Sequence, residues 1–346
     1  MALADAVTAL DRLLVDDPWA PELEELMTVA GDLLLGRGEQ TRGELLAHEL
    51  ALRRATSPAD REARTAELQG LVRRHGLGLL GKTLLALLER PGAVRPQLRG
   101  GRLWALTLDL RRIPTKYHQH TITLEELVPL LLHPQHQLRH LERLVIRTRH
   151  FADAAVVSNL VVAQATKLPN LEQLLVSMST RPLGHLSRAA PGQQQRLRAA
   201  FPKLWLACER NEILPLFEAD LDDRLSARAL DTLGEADTAM NRDQRVLIGR
   251  GLCSGRRETT LAACEQLVRI GPSARVFLPT LAMLMQPQVS HALPWILPQL
   301  QHFGSWATAL RPSLARITGS RHYPADTRSL AGKAFAAPPF APPPST

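Results

Sequence analysis

Leu141-Glu142-Arg143-Leu144-Val145-Ile146 and Leu171-Glu172-Gln173-Leu174-Leu175-Val176 decide how this chain is read. Both have the form Leu-x-x-Leu-x-[Ile/Val], and the run 151–166 between them is patterned as a helix. A strand, a helix and the same strand again are the pattern of units that stack their strands into a parallel ladder. A third copy lies upstream at Leu103-x-x-Leu106-x-Leu108, and a degraded fourth follows Pro202 as Leu204-Trp205-Leu206.

This spacing resembles that of leucine-rich repeats. The resemblance implies strands at 103–109, 141–147, 171–177 and 203–208, with helices near 123–133, 152–167 and 192–200. The intervals of about thirty to forty residues are long for such repeats, so the expected ladder is short and irregular.

Composition agrees with a layered helical protein. At 346 residues the chain can bury a core in each of two domains. Apolar residues make up 45% and aromatics only 4%, so that core is built mainly of Leu, Ala and Val. The formal charge is +8 and the pI about 10.1, carried almost wholly by Arg. Its distribution is uneven. The first fifty residues are acidic, whereas 90–149 hold Arg90, Arg95, Arg99, Arg102, Arg111, Arg112, Lys116, Arg139, Arg143, Arg147 and Arg149 against four acids. A basic middle beside an acidic end fits an acidic partner or the chain's own first segment.

Upstream, apolar spacing predicts helices over 2–16, 21–36 and 41–55. Asp17-Pro18, Leu26, Ala30-x-Asp32-x-Leu34, Gly38-Glu39, Arg42-Gly43-Glu44-Leu45 and Glu49-Leu50 resemble the bacterial repeat-companion domain over residues 8–54. Leu33 stands where that family usually has Trp, Glu39 for its Asp, and Glu49 near its Gln. The resemblance implies a module attached to repeats, and no reaction. A charged helix opens at Ser57-Pro58, and a glycine-punctuated turn is expected over 76–81. Beyond Asp220, helical runs at 221–234, 241–253, 257–270, 273–286, 289–301, 304–317 and 325–335 are separated by Gly, Pro or Asn. Arg269-Ile270-Gly271-Pro272 with the helix ending Leu281-Ala282-Met283-Leu284 resembles a HEAT-type hairpin, which implies an α-solenoid.

The candidate sites are few. Gly76 with Gly81-Lys82-Thr83 satisfies the phosphate-loop spacing, but a charged helix precedes it where that loop needs a strand. His133, His136 and His140 share a helical face, but Pro134 interrupts it and no Cys is near, so no metal set is expected. Cys208, Cys253 and Cys264 fit burial, and no catalytic triad or nucleophile elbow is present. Residues 1–14 lack a basic n-region and carry Asp5 and Asp11, which does not read as a signal peptide. No uncharged apolar stretch of membrane-spanning length is seen, so a cytoplasmic protein is expected.

The expected fold is α/β plus α. An N-terminal module (1–56) and a helical connector (57–100) lead to a leucine-rich ladder (101–216), a HEAT-like helical domain (217–336) and a disordered Pro-rich tail (337–346). The expected role is a non-enzymatic scaffold for a protein partner, with no cofactor and no membrane. The candidate interaction surface is Arg111, Arg112, Arg139, Arg143, Arg147 and Arg149. Arg143 and Arg147 fall on the strand face opposite Leu144 and Ile146. The alternative is a nucleic-acid-associated factor that binds phosphates non-specifically through Arg111, Arg112, Arg143 and Arg147. Trp104, Tyr117, Phe151 and Trp205 are too scattered to stack bases.

Overall fold

Three N-terminal helices form where the apolar spacing places them: α1 (Leu3–Asp16), α2 (Leu23–Gly36) and α3 (Gln40–Arg54). Leu10, Leu14, Leu23, Met27, Ala30, Leu34, Leu46 and Leu50 give them a small core of their own. The structure, a computed structural model, describes residues 3–16, 22–113, 116–117, 120–121, 123–132, 138–148, 151–178, 192–209, 212–214, 216, 227–228, 230, 240–287 and 292–340.

Helix α4 (Pro58–Arg74) starts at the Ser57 cap, whose Oγ accepts from the Asp60 N–H at 3.0 Å. The glycine-punctuated stretch after it is not a turn. It is helix α5 (Gly76–Leu88), bent at Gly81, because burial of Leu79, Leu80 and Leu84 against the sheet outweighs the glycine cost. A helix rather than a strand therefore leads into Lys82.

The helical connector expected over 57–100 also ends in a strand, β1 (Val94–Arg99), paired antiparallel with β2 (Arg102–Asp109). Gly100 and Gly101, at φ 60° and 70°, form the two-residue turn between them. Turns with two positive φ values match the twist of the flanking strands, and glycine adopts them without strain. Two short strands, β3 (Lys116–Tyr117) and β4 (His120–Thr121), pair with each other. Helix α6 (Leu124–Leu131) begins at a capping box made by Thr123 and Glu126.

The expected strands follow as β5 (Arg143–Thr148), β6 (Gln173–Met178) and β7 (Leu206–Glu209), with β8 (Glu212–Leu214) returning antiparallel on β7. Among the described residues the sheet order is β1-β2-β5-β6-β7-β8, and β2, β5, β6 and β7 are parallel neighbours in register. Helix α7 (Phe151–Val162) joins β5 to β6, and α8 (Gln193–Ala200) precedes β7. Side chains alternate across the sheet. Leu106, Leu108, Leu144, Ile146, Leu174 and Val176 face the core shared with α4 to α8. Leu175, Trp205 and Leu206 face the other way, into a second core.

That second core belongs to the C-terminal helices. Asn241 and Gln244 form a capping box that opens α9 (Arg242–Leu252), and α10 (Arg257–Ile270) ends at Gly271. The following runs are shorter than the expected helices. Gly271–Phe277, Leu297–His302 and Ser305–Leu310 are 3-10 turns joined to short α-helices Leu278–Leu284, Leu293–Ile296 and Arg311–Gly319. Pro279, Pro294, Pro298 and Pro312 cause this: each lacks the N–H for an i−4 bond, so the backbone around it tightens or restarts. By length and composition alone, Arg257–Leu284 could cross a membrane, since an 18-residue window within it has a mean hydropathy of 1.2. Its Leu267, Phe277, Leu281 and Leu284 lie in the helical core. After the last helix (Ala325–Ala336) the expected tail is not wholly loose: Phe340 is buried in that same core. The rest of the tail, and most of 221–234, lie outside the described residues.

Candidate functional site

The six arginines of the expected surface do not form one row. Arg111 and Arg112 follow β2 and turn back onto Asp109. The Arg111 Nε and Nη2 donate to the two Asp109 oxygens at 2.7 and 2.6 Å, and Arg112 Nε lies 3.5 Å from Oδ2. Burial pushes the Asp109 carboxyl up, but the hydrogen bonds and charge of Arg111 outweigh it and hold the group below the usual range. Arg139 sits at the opposite end of the strands, where its Nε donates to His140 Nε2 at 3.0 Å. Arg143 and Arg147 are on the face opposite Leu144 and Ile146, as alternation requires, but that face is partly covered because Val145 between them packs on the helical core. Among the described residues, Glu142 and Glu172 pair with Arg99, Arg242 and Arg245 and not with these two. Arg143 Nε is buried with no acceptor, and burial lowers its pKa. Arg149, His133 and His136 are outside the described residues; among the described residues no group of three or more His, Cys, Asp or Glu is arranged for a metal.

The charges the structure does bring together lie one residue before the strands. Glu142 N–H donates to Trp104 O at 2.9 Å, Glu172 N–H to Glu142 O at 2.8 Å, and Trp205 N–H to Glu172 O at 3.0 Å. Trp104, Glu142, Glu172 and Trp205 therefore occupy one slot in successive units, the residue after Leu103, Leu141, Leu171 and Leu204. Trp104 reaches this slot through a register skip: Gln97 pairs with Ala105 and Leu98 with Leu103, which leaves Trp104 as an extra, bulged residue. Arg99 lies 4.0 Å above the Trp104 ring and donates to Glu142 Oε2 at 2.8 Å. Glu172 is served by more donors. Trp205 Nε1 donates at 3.1 Å and Arg245 Nη2 at 2.7 Å, and Arg242 Nε lies 2.7 Å away.

Two neighbouring carboxylates, the half-buried Glu142 and the buried Glu172, thus have opposite surroundings. Burial raises both. At Glu142 the charge of Arg99 does not overcome it and Glu172 adds to it, so the pKa stays above the ordinary range. At Glu172, Arg245, Arg242 and the Trp205 N–H reverse it, so the pKa falls below.

Around this pair the three parts of the chain meet. Asp11 of α1 accepts from Arg42 and, at 2.8 Å, from Arg102 Nη2. Arg42 Nε donates to Gly100 O at 3.3 Å, and Gly101 N–H donates to the buried Glu49 at 3.2 Å. The acidic first segment thus binds the chain's own middle. Arg242 also donates to Asn170 Oδ1 and O at 3.0 and 2.9 Å, which ties α9 to the turn before β6. The cleft left among Asp11, Arg102, His140, Glu142 and Arg242 is about 70 Å³. His140 is driven down to about 4 by burial and by Arg102 and Arg139, so it is neutral at pH 7.

A larger opening lies along the outer edge of β1. It is a groove of about 720 Å³ between α4 and β1, walled by Leu68, Val72, Leu88, Val94, Leu98 and Trp104. Its charged lining is Arg73 and Arg95 alone. Sequence reasoning missed this groove because it missed β1, and missed Glu142 and Glu172 because it read the repeat for its leucines and not for its second slot. Compared with known proteins, the chain matches no family model, no curated protein and no solved structure.

Proposed function

We propose that this chain is a non-enzymatic interaction scaffold. In this reading a module like the repeat-companion domain, an irregular leucine-rich ladder and HEAT-like hairpins are joined so as to present a surface to a protein partner. One observation carries it. The acids and bases that converge, at Glu142 and Glu172, are engaged in holding the chain's own parts together around a 70 Å³ cleft, whereas the 720 Å³ groove has apolar walls with a polar rim and, among the described residues, no acid, His or Cys lines it. Repeat units touch only their neighbours and so leave extended faces free for a partner. The test is affinity capture with the tagged full chain, followed by calorimetric titration of the purified partner. Saturable binding at about micromolar Kd or tighter is expected. If no partner purified this way binds the isolated chain, the scaffold reading fails.

A second reading rests on Arg143, whose buried Nε has no acceptor, beside Arg147 on the same strand face. Unneutralised guanidinium groups are natural phosphate partners. If they bind nucleic acid, affinity falls steeply with salt, and Arg143→Glu with Arg147→Glu abolishes it. Weak retention of DNA and RNA at low salt, unchanged by that double substitution, is the outcome the scaffold reading expects.

A further inference from the structure

We infer that the groove between α4 and β1 is the docking site for an extended, acidic peptide segment of a protein partner, an inference that rests on the scaffold reading. The groove combines what such a segment needs. Leu68 and Val72 of α4 face Val94 and Leu98 of β1 across it, so apolar side chains can be buried on both walls. Along one wall runs unpaired backbone. Asp109 N–H donates to Ala93 O at 2.7 Å, which makes residues 93, 95 and 97 the inward-bonding positions of β1. Val94 and Leu98 therefore point their N–H and C=O groups into the groove, as partners for another main chain.

Charge selects the occupant. Arg73 on α4 and Arg95 on β1 flank the groove, no acid lines it, and neither guanidinium group has a hydrogen bond or ion pair among the described residues. At one end Arg95 Nη2 and Arg112 Nη1 close over Gly92, 3.1 and 3.2 Å from where a Cβ would stand. Arg112 Nη1 there already donates to Pro91 O at 2.7 Å and its Nε faces Asp109, so the guanidinium open to an incoming carboxylate is that of Arg95. A second copy of this chain is a poor occupant on two counts. The chain carries +8, and Pro96 falls on the outward side of β1, where its ring blocks continuous pairing of two such edges. The same proline confines a partner's backbone pairing to the Val94 and Leu98 ends, so side chains and charge set the specificity.

The test is selection of a displayed library of random peptides on the purified full chain, followed by fluorescence polarisation with synthetic versions of the enriched sequences. Enrichment of Asp and Glu among apolar residues is expected. Arg73→Glu with Arg95→Glu is expected to weaken binding by about tenfold or more, because rim charges govern steering and discrimination. Both side chains are exposed, and an unchanged circular-dichroism melt shows that the double variant is folded. A peptide with its acids replaced by Lys should then prefer the double variant, which a damaged fold cannot produce. An unenriched library, peptides without acids, or affinity indifferent to the reversal overturns the inference. So does preferential retention of anionic vesicles or of nucleic acid by these two arginines. A captured partner that still binds the double variant refutes the groove and leaves the scaffold standing, whereas loss of every partner from the native chain refutes the scaffold itself.

Discussion

Glu172 keeps its charge in a dry environment because Arg242, Arg245 and the Trp205 N–H surround it. Such a group is worth most as part of a set: removing one member strands the others. Glu172→Gln leaves two guanidinium groups facing an amide, one of them on the fully buried Arg245, and is expected to cost about 3–5 kcal/mol in urea unfolding. Glu142 predicts a contrasting pH dependence. A depressed pKa stabilises the fold above the ordinary carboxylate range and is lost as pH falls through the folded value; this is Glu172. A raised pKa stabilises at acid pH and is lost as pH rises through the folded value; this is Glu142. As pH rises from the ordinary carboxylate range through the raised folded value, Glu142→Gln should therefore gain on the native chain. Glu172→Gln should lose ground over the upward half of its own transition, in the acid range. Parallel pH profiles for the two variants would show that the pair does not differ in this way.

At the level of elements, α9 is held on the sheet by Arg242 and Arg245 and, in addition, by a close approach at Gly249. A Cβ on Gly249 would lie 2.3 Å from the Trp205 ring, and Trp205 is wholly buried. Alanine is the better helix former by roughly 1 kcal/mol, yet Gly249→Ala is expected to destabilise by about 1–3 kcal/mol because the indole has nowhere to move. Trp205→Leu should absorb part of that cost, and a double-mutant cycle in which the two effects simply add would remove the contact from the account. Neither partner announces this in the sequence, since each reads as an ordinary helix or strand residue. What could be read was whatever repeats or stops locally. Leu-x-x-Leu-x-[Ile/Val] located β5 and β6 because one slot recurs, and Gly271 ended α10 at the expected residue. The strand β1 was hidden by Pro96 and its charges, although Arg99-Gly100-Gly101-Arg102 is a two-residue hairpin signal. The 3-10 turns were missed because a period-3.6 pattern survives in apolar spacing even where proline breaks the hydrogen bonds. The site was the least legible part: Glu142 meets Arg99, and Glu172 meets Arg245, only after the chain has folded back over long separations.

For the whole molecule, these contacts decide whether its parts are separable. The sheet residues Leu175, Trp205 and Leu206 share one core with residues as distant as Phe340, and among the described residues the cations on Glu172 are Arg242 and Arg245 of α9. The sheet cannot complete either its apolar face or its charge balance without the C-terminal helices. Those helices in turn bury Phe277 edge-on against Trp205, with ring centroids 5.4 Å apart. The N-terminal helices differ in owning a core, although Leu45 of α3 enters the sheet's core, Glu44 meets His75, and Asp11, Arg42 and Glu49 hold the Gly100–Gly101 turn. The ladder and the C-terminal helices should therefore unfold together. Differential scanning calorimetry at neutral pH is expected to show one transition for them, with the calorimetric enthalpy matching the van't Hoff value. A chain ended after residue 216 should lose the near-ultraviolet circular dichroism of its buried tryptophan and bind a hydrophobic dye, as a loosened core does. Two resolved transitions in the full chain, or a shortened chain that keeps its native near-ultraviolet spectrum, would mean that the sheet stands on its own and that the shared core is only a contact between independent units.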